Sequence, residues 1–256
     1  MFYDTNNGQT TMKVLTCWLM LSLLSSSSSC DVIQMHQLNT FNAKTSERPV
    51  LLKGAGLHWK AHKKWTLNYL REQLQSLAFP LGSFDTIITN PDYYIFSKID
   101  SSTGLLILSE NNDDCPVEST FKPLDDIGTL TLQQQHTEHN FLLIGGNGSG
   151  LGFHNHEQDA FNCIVKGKKQ WYFYPPSINT LAIDPKGYPG WWKNNTYQSR
   201  KEFVEVVIPR LKQRPLECTQ ESGDVLFVPK LWFHMVINIG DPVVAVSAIQ
   251  SSKVYL

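Results

Sequence analysis

The stretch that decides the fold runs Gly150-Leu-Gly-Phe-His-Asn-His156 and, a few residues on, Phe161-Asn-Cys-Ile-Val-Lys-Gly-Lys-Lys-Gln-Trp-Tyr-Phe-Tyr-Pro-Pro176. The first part ends in a His-x-His pair. On a strand, residues two apart point to the same side, so His154 and His156 can present their rings to one point. The second part reads as two short apolar runs, Phe161–Val165 and Trp171–Tyr174, joined by a turn at Gly167-Lys-Lys169-Gln. More runs of this kind lie around it: Phe141–Ile144, Val225–Val228 and Val243–Ile249, punctuated by Gly, Pro and Asn as in an all-β sandwich or barrel.

Outward from this centre, Ser222-Gly-Asp-Val-Leu-Phe-Val-Pro-Lys-Leu-Trp-Phe-His234 reads as a turn, a buried strand, a proline and a third histidine. A His-x-His pair with a remote His suffices for a facial metal site with open positions, so His154, His156 and His234 are the candidate metal ligands. Upstream, Arg48-Pro-Val-Leu-Leu-Lys-Gly54 reads as a short strand closing in a glycine turn. Thr66 caps a helix in which Leu67, Leu70, Leu74 and Leu77 form one apolar stripe. A second helix is expected over Ser199–Leu211, with Phe203, Val206, Val207 and Leu211 on one face and Pro209 disturbing its last turn.

The chain has 256 residues, enough for a sizeable core in one domain. Its 22 Lys+Arg against 23 Asp+Glu leave a net charge of -1, which argues against a dedicated nucleic-acid binder. Lys13, the apolar run Val14–Leu24 and the serines Ser25–Ser29 describe a secretory signal peptide over residues 1–29, with Met12 as a possible start. The apolar run is well short of the about 20 residues a spanning helix needs, so no transmembrane segment is expected after cleavage. The expected compartment is the endoplasmic reticulum lumen or the exterior. Four cysteines would remain, Cys30, Cys115, Cys163 and Cys218, with three full pairings open to them. Asn147-Gly-Ser149 and Asn194-Asn-Thr196 are glycosylation acceptors in that setting.

Taken together, Gly150–Pro176 resembles the centre of a JmjC/cupin-like domain of the iron(II)- and 2-oxoglutarate-dependent oxygenase superfamily. Pro215-Leu-Glu-Cys-Thr219 through His234 resembles its second half, and Arg48–Gly54 with the helix after it resembles its beginning. The resemblance implies a mostly β chain with flanking helices, folded over residues 30–256 as one double-stranded β-helix, or jelly roll. It places iron on His154 and His234, and assigns Lys169 to the distal carboxylate of 2-oxoglutarate, with Asn162 and Ser247 as further co-substrate contacts. The implied reaction couples decarboxylation of 2-oxoglutarate to hydroxylation of a protein or peptide side chain.

One departure from the pattern matters. The residue two after the first histidine is normally Asp or Glu, and here it is His156. With a carboxylate ligand, iron(II) and dianionic 2-oxoglutarate carry one net negative charge; with three neutral imidazoles they carry none. Three histidines also suit zinc. Two alternatives therefore stand beside the oxygenase: a zinc-binding cupin, and a catalytically degenerate binding or scaffold protein of the same fold. Glu157 and Asp159 are the nearest carboxylates, and a bulge could re-aim one of them. Tyr188, Trp191, Trp192 and Tyr197 could line a rim that grips a partner chain.

Overall fold

The computed structural model describes residues 29–74, 83–99, 106–108, 117–118, 121–128, 137–178, 197–211 and 213–250. The apolar run Val14–Leu24, Leu77, Cys115, Asn194 and the aromatics at 188, 191 and 192 lie outside them, and of Tyr197 only the backbone is described.

Strand β1 (Asp31–Ile33) pairs in parallel with β2 (Val50–Leu52). Helices α1 (Ala61–Lys64), α2 (Leu67–Leu74) and α3 (Phe84–Thr89) follow. The Thr66 hydroxyl accepts the Tyr69 amide at 3.2 Å, and Leu70 and Leu74 are buried, as the leucine stripe requires. Next come β3 (Tyr94–Ile99), β4 (Leu106–Leu108), β5 (Val117–Glu118), β6 (Thr137–Gly145) and β7 (Gly150–His154). The chain continues through β8 (Ala160–Tyr174), α4 (Tyr197–Glu202), β9 (Leu216–Glu221), β10 (Val225–Val228) and β11 (Phe233–Gln250).

The two long strands β8 and β11 organise everything else. Near one end, Ala160–Lys166 pairs with Val244–Ile249, flanked by β10 and β2 on one side and β6 and β3 on the other. Near the other end, Lys168–Tyr174 pairs with Phe233–Ile239, flanked by β9 and β7. The strands pass from one layer to the other at a bulge, where the register shifts between Ile239 and Val244 opposite Gly167. Gly167 has φ +82°, and a Cβ there would stand 2.7 Å from the Val243 Cγ2. Glycine is what lets the two backbones turn the corner together. The expected turn at Gly167–Gln170 is therefore a bend inside one continuous strand.

Between the layers lies a core that draws Leu226, Val228 and Ala160 from one sheet and Trp171, Phe173 and Val236 from the other. The outer face of the first layer presents Phe161, Cys163, Phe227, Val244 and Val246, which Trp59 and Trp65 flanking α1, Leu70 of α2 and Ile87 of α3 cover. The second layer presents Phe153, Tyr172, Tyr174 and Met235 to Phe203, Ile208 and Leu211. Strands alternate in and out because both faces of each layer have a core to meet. This is a jelly roll with flanking helices.

Two expectations change here. The helix expected over Ser199–Leu211 is α4 followed by a π-turn at Phe203–Val207 and a 3-10 turn at Ile208–Arg210. The wider turn rotates Val206 outward, where it is exposed, because Pro209 cannot continue an α-helical ladder. A single disulfide is found among the described cysteines, Cys30–Cys218, while Cys163 is a buried free thiol in the outer core of the first layer. Burial pushes that thiol well above its ordinary range. The disulfide fastens the chain before β1 to β9 across 188 residues of sequence. Chain-entropy arguments put the constraint on so long a loop at about 5 kcal/mol, and measured losses run about 2–5 kcal/mol. Cys218→Ala is expected to lose stability in that range, read as a lower urea midpoint with a steeper slope, because the unbridged unfolded chain exposes more surface.

Candidate metal centre

His154 closes β7, and its ladder partner on β11 is His234. Directly paired residues of adjacent strands put their side chains on the same face. The two ring centroids accordingly lie 4.2 Å apart. His156 sits past the end of β7, in the loop toward β8, so loop geometry and not strand alternation turns it inward. Its centroid lies 5.0 Å from that of His154 and 5.1 Å from that of His234, and the ligand nitrogens of the three all fall within 4.8 Å of one another.

Backbone carbonyls fix two of the tautomers. The Nδ1 of His154 donates to the Gly152 carbonyl at 2.8 Å and that of His234 to the Trp232 carbonyl at 2.9 Å. A carbonyl only accepts, so each Nδ1 carries the proton and each Nε2 keeps its lone pair for an ion. Burial lowers all three imidazole pKa values. It takes His156 down to about 4, helped by repulsion from His154, and His234 well below its usual range. Three neutral nitrogen donors converging on one side of a cup are a set that a divalent first-row ion fits.

The same cavity is lined by Lys169, Asn162, Ser247 and Tyr94. Lys169 stands on β8 two residues before Trp171, facing inward and 1% exposed. Its ammonium donates to the Tyr94 hydroxyl at 2.7 Å and lies 5.1 Å from that ring's centroid. No carboxylate pairs with it among the described residues. Burial alone pushes its pKa down to about 7. Asn162 is buried with its Oδ1 unpartnered, and Ser247 faces it across the β8–β11 ladder. The Ser247 hydroxyl donates to the Phe161 carbonyl at 2.9 Å, which leaves its lone pairs toward the cavity free to accept.

All six expected site residues are thus gathered around one cavity. Glu157 and Asp159 are not among its lining residues; Asp159 instead accepts the Lys230 amide at 2.8 Å. Two further residues belong here. Tyr94 holds Lys169 from 75 positions away, a pairing no local pattern signals. Asn238 is the ladder partner of Lys169, buried, with its Nδ2 on the Ser149 hydroxyl at 2.9 Å and its Oδ1 unpartnered.

Residues 99–248 match the family model described as a cupin-like domain. The chain belongs to the cupin-like domain family. Cupin-like relatives among curated proteins include an arginine-specific demethylase of Arabidopsis thaliana, 25% identical over 219 residues, covering 77% of this chain and 40% of that protein. A bifunctional arginine demethylase and lysyl-hydroxylase of Caenorhabditis briggsae is 26% identical over 216 residues, covering 75% of this chain and 53% of that protein. JmjC domain-containing protein 8 of Mus musculus is 35% identical over 96 residues, which is 38% of this chain and 32% of that protein. This cupin-like chain therefore spans about half or less of the length of these relatives.

The lysine offers a test that needs no ligand. With a pKa near 7 in the folded state and near 10.5 in the unfolded chain, Lys169 makes the unfolded state the better proton binder between those limits. Stability should therefore rise with pH from about 7 to 10.5. Lys169→Met removes that rise and leaves the protein at least as stable at pH 7, as urea titrations at several pH values would show.

Proposed function

We propose that this cupin-like protein is an iron(II)- and 2-oxoglutarate-dependent oxygenase that hydroxylates a protein side chain within the secretory pathway. The observation that carries the reading is a single one: three neutral imidazoles share a cavity with a buried lysine that has no carboxylate partner among the described residues. A buried ammonium without an anion is costly, and a dicarboxylate reaching across the cup removes that cost. His154, His156 and His234 would hold the iron. Lys169 would receive the distal carboxylate, with Tyr94 orienting the ammonium through the hydrogen bond already present. An amide turned so that its Nδ2 faces the ligand would let Asn162 donate to the same group, and its orphaned oxygen marks it as a residue awaiting a partner.

Bound iron(II) with 2-oxoglutarate supplies the oxidising power, consuming oxygen and releasing succinate and carbon dioxide. The chain's part is to orient and to exclude water. The Gly152 and Trp232 carbonyls hold two imidazoles in the ligating tautomer. Trp171, Leu151, Val228 and Val236 give the cavity apolar walls that keep water from the reacting atoms. Two relatives named for arginine demethylation, one of them also for lysyl hydroxylation, support a protein side chain as substrate class.

The Cys30–Cys218 disulfide supports an oxidising compartment, since such bonds persist outside the reducing cytosol. Asn147 is exposed in the β6–β7 loop, as a glycan acceptor must be. No helix among the described residues is long and apolar enough to cross a membrane. One observation favours a second reading. His156 stands where a carboxylate ligand is expected, and three histidines also suit a zinc-binding cupin or a scaffold that retains the fold without turnover.

Anaerobic addition of iron(II) and 2-oxoglutarate is expected to raise a visible charge-transfer band, and Lys169→Met to weaken the 2-oxoglutarate dependence of that band about 10- to 100-fold. Absence of the band from the unsubstituted protein, with zinc retained through mild chelation, would establish the zinc reading instead. His156→Asp is expected to shift iron affinity measurably; an unchanged affinity would remove His156 from the ligand set.

A further inference from the structure

The turn between β10 and β11 contains the one described non-glycine residue with a positive φ: Leu231, at φ 66°. A leucine in the left-handed region is strained relative to an ordinary backbone, because its Cβ crowds the neighbouring carbonyl. Its side chain does not explain this, being 43% exposed and so contributing little burial. The backbone does. The Lys230 N–H reaches the Asp159 Oδ1 at 2.8 Å and the Leu231 N–H reaches the His156 carbonyl at 2.7 Å, and the left-handed Leu231 then turns the chain from these anchors into β11 toward His234. The next residue continues the pattern. Trp232 closes the turn on the Pro229 carbonyl, ties its indole N–H to the Glu47 carbonyl at 3.0 Å, and accepts the His234 Nδ1 proton.

Leu231 and Trp232 thus grip both sides of the metal centre, one through the His156 carbonyl and the other through the His234 ring. His154 needs no such help, because the β7–β11 ladder registers it against His234. His156 lies beyond the end of β7, and the hydrogen bond from Leu231 is what ties its backbone to the strand that carries His234. We propose that Leu231 is the positioning residue of the metal centre, its left-handed backbone setting His156 relative to His234. The inference rests on the reading of the three histidines as a metal site and goes beyond it, since it assigns the geometry of that site to a residue that touches neither metal nor co-substrate.

The test uses cobalt(II) alone as the probe, titrated into the whole chain and followed by its visible d–d absorption, alongside thermal unfolding of the metal-free protein. Leu231→Gly and Leu231→Asn keep the amide and tolerate a left-handed backbone. They should bind cobalt within about twofold of the parent. Leu231→Val keeps the amide but resists that backbone, and should lose about tenfold in cobalt affinity, the scale usual for groups that orient metal ligands. Ile87→Val, buried in α3 against the outer face of the first layer, is the control for general loosening and should leave cobalt affinity unchanged. Equal affinities for the valine and glycine variants, or an equal loss in Ile87→Val, would overturn the proposal. Should Leu231→Val not fold, loss of cobalt affinity in either the glycine or the asparagine variant overturns it, and retention in both upholds it. No cobalt binding by the parent would instead sink the metal-site reading itself.

Discussion

The register between β8 and β11 is the constraint on which the rest of the molecule depends. Because both strands run through both layers, one set of ladder pairs positions Asn162, Lys169, His234 and Ser247 around the cavity. His234 lies opposite Phe173, Asn238 opposite Lys169, and Ser247 opposite Asn162. A slip of one residue would turn all of them to the outer faces, where the helical layers pack. Two apolar cores outside the sheets and one between them make such a slip prohibitively costly. The corner at Gly167 then fixes the depth of the cup, since Lys169 follows it by two residues and faces inward. Polar chemistry is thereby held at the end of an apolar sleeve without any loop having to carry it, His156 excepted.

That exception shapes the electrostatics. With three uncharged imidazoles, the protein would bring no negative charge to a bound ion, and under the proposed reading all neutralisation would come from the dianionic co-substrate. Such a site gives up part of its grip on a bare cation and gains a stronger dependence on the anionic partner. The lowered pKa values of the histidines serve the same end, keeping each ring a lone-pair donor and not a competing cation. Metal and co-substrate should then bind as a thermodynamically linked pair.

Much of this was legible in the amino-acid sequence, and the parts that were not have physical reasons. Short β runs and the leucine stripe of α2 are local patterns read at fixed period and point to the jelly roll with its flanking helices, while the His154–His156 spacing and the later His234 nominate three rings that the fold gathers around one cavity. Phe161–Val165 and Trp171–Tyr174 read as separate strands because a glycine between lysines is the usual sign of a turn; only the bulge opposite, contributed by β11, makes it a bend. His156 was expected on a strand and arrives by a loop, with the same convergence. Tyr94 and Asn238 gave no signal, since each acts through a partner brought near by tertiary structure alone. Each of the three full pairings the count allowed would have used Cys163, which is instead a buried free thiol, and sequence carries nothing that selects Cys30–Cys218 alone.

How the fold treats its other buried charges argues for the cavity's purpose. Asp224 is almost wholly buried and fully engaged: Lys53 Nζ at 2.6 Å, the Gly54 amide at 3.0 Å and the Glu221 amide at 3.0 Å all donate to it. Asp126, equally buried, takes the Lys64 ammonium at 2.9 Å and the Trp65 indole N–H at 2.9 Å, and so pins α1 to the segment beyond β5. For these two carboxylates the chain supplies both a counter-charge and hydrogen bonds. Among the described residues Lys169 meets the Tyr94 phenol and, at 5.9 Å, the Trp171 ring but no carboxylate, with the unpartnered oxygen of Asn162 in the same cavity and that of Asn238 on its ladder partner. A fold able to satisfy Asp224 and Asp126 so fully could have paired its lysine as well. A lysine with no carboxylate beside it among the described residues, in the cavity that gathers three imidazoles, is the arrangement expected of a site that takes an anionic partner from solution.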